Sequence, residues 1–196
     1  MTDINKQTLI TEMEPHLAKI FPERQEEISK AIISVIDKYA PRREGNHRER
    51  WNEKDIILIS YGDSIVDEKE PPLQTLYRFL SAHTAETFSI VHILPFFPYS
   101  SDDGFSVIDY RVVNQTLGDW EDIRRISDRH RLMVDVVINH VSRESLWFHD
   151  YVADQPPAND YFIDLPPETD TSMVTRPRNS PLLVPVNTHR GMRHIW

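Results

Sequence analysis

Three short, continuous apolar runs constrain this chain more than anything else in it. They are Ile56-Ile57-Leu58-Ile59-Ser60-Tyr61, Ile90-Val91-His92-Ile93-Leu94 and Leu132-Met133-Val134-Asp135-Val136-Val137-Ile138. Each is short for a helix and rich in β-branched residues, the pattern of a strand buried on both faces. Between them the apolar period turns helical. Leu73, Leu76, Tyr77 and Leu80 mark one amphipathic helix, with Pro71 or Pro72 in a first turn that has no hydrogen bond to lose. Trp120, Ile123 and Ile126 mark a second, with Asp119 placed to cap it and Asp122 three residues beyond. Alternation of strand and helix predicts two βαβ units and a parallel sheet.

Either side of this α/β core the pattern changes. Leu9, Met13, Leu17 and Ile20, then Ile28, Ile32, Val35, Ile36 and Tyr39 keep a helical period over residues 1–40. The polar stretch to Arg50, with Pro41 and Gly45, has the character of a linker. Residues 1–50 are therefore expected to form a helical extension and linker, and 51–141 three β/α units. Residues 142–196 are expected to be an irregular excursion, punctuated by Pro156, Pro157, Pro166, Pro167, Pro177, Pro181 and Pro185.

Composition removes several functional classes. The chain has 196 residues and a formal charge of -9, which disfavours phosphate backbones and hence nucleic acid as a partner. It has no cysteine, so thiolate catalysis, disulfides and Cys-based zinc sites are excluded, and a cytoplasmic setting is expected. No apolar run approaches the roughly 20 residues that span a bilayer, and Met1–Lys6 lacks the basic-then-apolar layout of a signal peptide. The sequence carries no information on oligomeric state.

Chemistry is expected where the apolar runs break into polar groups, because ligands in parallel α/β folds bind at the C-terminal ends of strands. Tyr61 and Asp63 end the first run. The second opens into Pro95-Phe96-Phe97-Pro98-Tyr99-Ser100-Ser101-Asp102-Asp103-Gly104-Phe105, within a connection long enough to be functional and too aromatic to be disordered. The third ends in Asn139-His140. Asp102 and Asp103, if extended, point to opposite sides, so only one can face a pocket; the plain alternative is a turn with both acids in water. Gly104 is expected to supply a backbone angle that a side chain forbids. Asp135 lies inside an apolar run, where an unpaired carboxylate is costly. His92 and Trp120 read as packing residues. A nucleotide-binding module is disfavoured because Asp63-Ser64-Ile65 stands where a Gly-rich loop belongs.

The segments Ile93-Leu94-Pro95-Phe96-Phe97-Pro98, Asp102-Asp103-Gly104-Phe105-Ser106-Val107-Ile108-Asp109-Tyr110 and Asp135-Val136-Val137-Ile138-Asn139-His140 together resemble glycoside hydrolase family 13, the α-amylase family, and within it the sucrose phosphorylase subgroup. The N-terminal helical extension and the Thr175-Arg176-Pro177-Arg178 segment, with Arg193-His194-Ile195-Trp196, are similar to the branch acting on glucosylglycerate. The resemblance implies the first three strands of a (β/α)₈ TIM barrel, with 142–196 the start of an inserted domain B. It implies reversible phosphorolysis of an α-glucoside, glucosylglycerate or a sucrose-like donor, by a retaining double displacement with inorganic phosphate and no cofactor.

Site roles follow from the resemblance. Asp102 is expected to accept from two glucose hydroxyls, Phe105 to lie against the sugar ring, and His140 to donate to a hydroxyl. From the residues themselves, Tyr61 and Asp63 at the end of the first run are expected to line the pocket base, and Arg176 and Arg178, with paired donors for planar oxyanions, to attract phosphate or a glycerate carboxylate. Asp135, Asn139 and Gly104 are expected to support the site structurally. Asn139 resembles a calcium ligand of many amylases, but the phosphorylase subgroup generally lacks that metal and none is expected. The nucleophile, the acid/base and the arginine that would pair with Asp135 are expected beyond Trp196. The chain is thus expected to be an N-terminal fragment, inactive alone, with Asp135 unpaired. An α-glucosidase or transglycosylase of the same clan and a non-catalytic sugar-binding or unfolded truncation are the rival expectations.

Overall fold

Proline placement and apolar period set where the helices begin and which face they bury. The computed structural model describes residues 6–39, 52–84, 87–175 and 181–196, and divides into two units at Trp51/Asn52. The expected linker at 40–50 lies outside the described residues. The first unit is a pair of helices in mutual contact, α1 (Lys6–Ile20) and α2 (Gln25–Tyr39), with Leu17 and Ser29 buried.

The second unit is built on a parallel three-stranded sheet in the order β1 (Ile57–Ser60), β2 (Ile90–Ile93), β3 (Arg131–Val134). Helix α3 (Pro72–His83) has Pro72 at its first position, where the missing N–H costs nothing. Helix α4 (Trp120–Ser127) starts at a reciprocal capping box. The Asp119 carboxylate accepts from the Glu121 and Asp122 N–H groups, and the Asp122 carboxylate accepts from the Asp119 N–H. Leu73, Leu76 and Leu80 of α3 and Ile123 and Ile126 of α4 join Val91, Ile93, Phe96 and Phe97 in one core. Burying each such side chain contributes about 1.5–3 kcal/mol. Parallel register aligns Leu58, Val91 and Leu132 in a row against that core, and Ile59, His92 and Met133 in the next row, which faces the other way.

Two expectations need correction. Only β2 is buried on both faces; in β1, Ile57 and Ile59 are exposed, because helices α3 and α4 pack on the opposite face. The third apolar run is strand only to Val134, and its last member, Ile138, is 89% exposed. The described residues of the 142–196 stretch also hold more regular structure than its prolines suggest. Helix α5 (Leu146–Val152) begins where the Ser145 hydroxyl accepts from the Phe148 N–H, and β4 (Val184–Thr188) and β5 (Gly191–Ile195) form an antiparallel hairpin. Pro185 is tolerated within β4 because a two-stranded hairpin consists of edge strands.

Candidate functional site

The connection after β2 folds back on itself. Ile108 N–H donates to the Pro98 carbonyl at 2.7 Å, Ser100 N–H to Ser106 at 3.1 Å, and Val107 is fully buried beneath. Its tip is a 3₁₀ turn at Asp102–Gly104, not an extended segment. All three residues lie in the left-handed region, with φ of 64°, 50° and 99°. The expected opposition of Asp102 and Asp103 therefore does not arise; a turn replaces it and both side chains are exposed. Gly104 is required twice over, by its φ and because a Cβ would sit 2.8 Å from the Pro95 carbonyl oxygen. Phe105 N–H closes the turn onto the Asp102 carbonyl at 3.0 Å.

The segment leaving β3 is tied to β2 through Asp135 and to this connection through Val137. Asp135 is not unpaired. Its Oδ2 lies 2.8 Å from His92 Nε2, because parallel register puts Met133 beside His92 and Asp135 two residues further along. His92 is thus a polar partner, and not packing alone. The Tyr110 hydroxyl donates to the Val137 carbonyl at 2.7 Å and accepts from the Val137 N–H at 2.9 Å. Burial holds the Tyr110 phenol above its ordinary range, and the nearby Asp135 carboxylate acts in the same direction. The Tyr110 ring packs edge-on to Phe97 and against Trp147.

His140 Nε2 then meets the Phe105 carbonyl oxygen at 3.1 Å. Two residues on, Ser142 N–H donates to the Val107 carbonyl at 2.9 Å, and its hydroxyl lies 2.7 Å from that of Ser100. The structure therefore joins His140 to Phe105 directly, with Asp102 in the same turn. Tyr61 follows β1, a full strand removed from β3, and is exposed. Arg176 and Arg178 lie outside the described residues.

His140 and Asn139 line a largely apolar cleft of about 900 Å³ together with Tyr110, Ile138, Trp147, Tyr161 and Trp196; Asp102 and Phe105 do not line it. The sequence reading missed the parts of Trp147, Tyr110 and His92 here. The available signals were the Ser145 cap before an aromatic run, and lone polar atoms set among apolar neighbours. Among the described residues, no group of three or more His, Cys, Asp or Glu could hold a metal ion. No described helix is long and apolar enough to cross a membrane.

The parallel sheet carries an Asp-bearing turn and an Asn-His pair in the segments that follow β2 and β3, and residues 87–183, which include both, match the α-amylase catalytic domain. This match places residues 87–183 in the α-amylase family, and proteins to which the chain is similar are named phosphorylases. It is 47% identical over 182 residues to a glucosylglycerate phosphorylase of Allomeiothermus silvanus, covering 92% of this chain and 32% of that protein. It is 44% identical over 150 residues to a glucosylglycerate phosphorylase of Escherichia coli K12, covering 76% and 27%. The crystal structure of a sucrose 6F-phosphate phosphorylase from Thermoanaerobacter thermosaccharolyticum superposes with a TM-score of 0.62 at 28% identity, covering 74% of this chain and 31% of that one. The chain thus spans about a third of the length of these relatives.

Proposed function

We propose that this chain forms one wall of the glucose subsite in a cytoplasmic α-glucoside phosphorylase, acting on glucosylglycerate or a sucrose-like donor. The single observation that carries the reading is the contact between His140 and the Phe105 carbonyl, which joins the segment following β3 to the turn bearing Asp102. A carbonyl oxygen only accepts, so Nε2 carries the proton in that contact. Nδ1 is then the nitrogen left for a sugar hydroxyl: it accepts when the ring is neutral and donates when the ring is protonated. Asp102 offers carboxylate oxygens to the same sugar, and Phe105 an apolar face. In the reaction, an enzyme carboxylate displaces the acceptor oxygen from the anomeric carbon while a second carboxyl group protonates that oxygen. Phosphate then displaces the carboxylate, giving α-glucose 1-phosphate. Such a pair stands roughly 5–5.5 Å apart across the scissile bond, and none of the acids described above is assigned to it.

Titration of the chain with glucose, followed by NMR, tests the binding half of this reading. Saturable shifts are expected, and Asp102→Asn and His140→Gln should each weaken them at least tenfold without altering the circular dichroism. Unchanged binding in both variants removes the turn from the site. The catalytic half is tested by product analysis. The 196-residue chain alone is expected to release no α-glucose 1-phosphate. A catalytic domain of the relatives' length carrying this chain should release it only when phosphate is present. Equal turnover without phosphate assigns the site to hydrolysis.

A further inference from the structure

We infer that Tyr110 and His92 are positioning residues that set His140, acting through the backbone of residues 135–140. This inference rests on the reading of His140 as a sugar contact, and extends it to residues with no part in touching the sugar. Strand β3 ends at Val134, so the six residues up to His140 have left the sheet's hydrogen-bond ladder. Side chains from the neighbouring segments replace that ladder. His92, from the middle of β2, holds the Asp135 carboxylate at 2.8 Å. The Tyr110 hydroxyl satisfies both backbone groups of Val137, as a paired strand residue would. Between these ties the chain faces outward: Val136 is 67% exposed and Ile138 89% exposed.

With 135 and 137 fixed, the direction in which the chain reaches His140 is fixed too. The Tyr110 ring is itself wedged between Phe97 and Trp147, so its hydroxyl is a rigid anchor. Anchor and target share one connection: Tyr110 and Phe105 both belong to the 95–118 segment. The link that holds the backbone and the carbonyl that receives His140 Nε2 therefore move as one piece. Removal of either tie should loosen the approach of His140 to Phe105 while leaving the core intact.

The test uses the 196-residue chain and reads the His140 ring nitrogens by NMR, assigned through His140→Gln. The wild-type ring should show a protonated Nε2 and an unprotonated Nδ1 when neutral. Tyr110→Phe deletes only the hydroxyl and keeps the ring contacts; His92→Leu deletes the tie to Asp135; His92→Gln keeps a donor for it. Tyr110→Phe and His92→Leu should each move the His140 ring signals toward those of a solvent-averaged histidine and weaken glucose binding about tenfold, which is 1.4 kcal/mol. His92→Gln should restore both readouts most of the way. His140 signals identical to wild type in Tyr110→Phe and in His92→Leu overturn the inference, whatever glucose does. Ring signals that shift as expected in a chain that binds no glucose uphold the positioning and refute the sugar site.

Discussion

At the scale of single residues, the turn at Asp102–Gly104 stores the clearest local constraint. Three consecutive left-handed residues converge on Gly104, whose α-hydrogen faces the Pro95 carbonyl. Gly104→Ala should lower stability by about 1–3 kcal/mol, since a side chain there meets both a strained φ and a backbone oxygen. Denaturant unfolding checks this, and a loss below about 0.5 kcal/mol contradicts it. Two phenols, the partly buried Tyr110 and the fully buried Tyr151, supply a pH signature. Burial raises the Tyr110 value above its ordinary 10, and burial followed by the hydrogen bond to Asp164 raises that of Tyr151. The fold keeps both phenols neutral, so the unfolded chain loses those protons first as pH climbs. Their contribution is complete below pH 10 and is lost as pH rises through the folded-state values. Unfolding midpoints should therefore fall in strong alkali, and Tyr151→Phe should flatten that fall. A wild-type midpoint indifferent to alkali contradicts the assignment.

At the scale of elements, α4 depends on its capping box. Asp119→Ala frees the Glu121 and Asp122 N–H groups and should cost about 1 kcal/mol in unfolding free energy. Asp119→Asn, which keeps an acceptor, should cost less. This element was fully legible in the sequence, because cap, box and apolar period lie within a few adjacent residues. The same locality made Pro72, α3 and the three strands legible. The extent of β3 was not, because an apolar run does not reveal where ladder bonding stops. The pairing of His92 with Asp135 spans 43 positions and exists only through the register of two parallel strands. Helix α5 and the β4–β5 hairpin were hidden by the surrounding prolines, of which Pro156, Pro157, Pro166, Pro167 and Pro181 fall between elements. Of the site, the meeting of Phe105 and His140 was legible only in that both follow neighbouring parallel strands, each in the segment beyond its strand's end. The turn conformation of Asp102 did not, since an Asp-Asp-Gly triplet is compatible with either an extended or a turned backbone.

At the scale of the molecule, the second unit presents a parallel sheet with two edge strands and exposed apolar side chains at Ile59, Val136 and Ile138. Such surfaces favour association between copies. Sedimentation velocity should show the wild-type coefficient rising with protein concentration, against the mutual repulsion of a chain carrying -9 charges. Replacement of Ile59 and Ile138 by lysine should hold the coefficient constant and leave the melting temperature within a degree or so, as expected for changes at exposed positions. A concentration-independent wild type removes the exposed rim as an adhesive surface.

The Tyr110 hydroxyl, closed on both backbone groups of Val137, has a consequence in deuterium oxide. The Val137 amide lies outside every strand, yet it should retain its proton through native-state isotope exchange as long as the core amides of β2 do. Tyr110→Phe should collapse that lifetime to that of an ordinary loop.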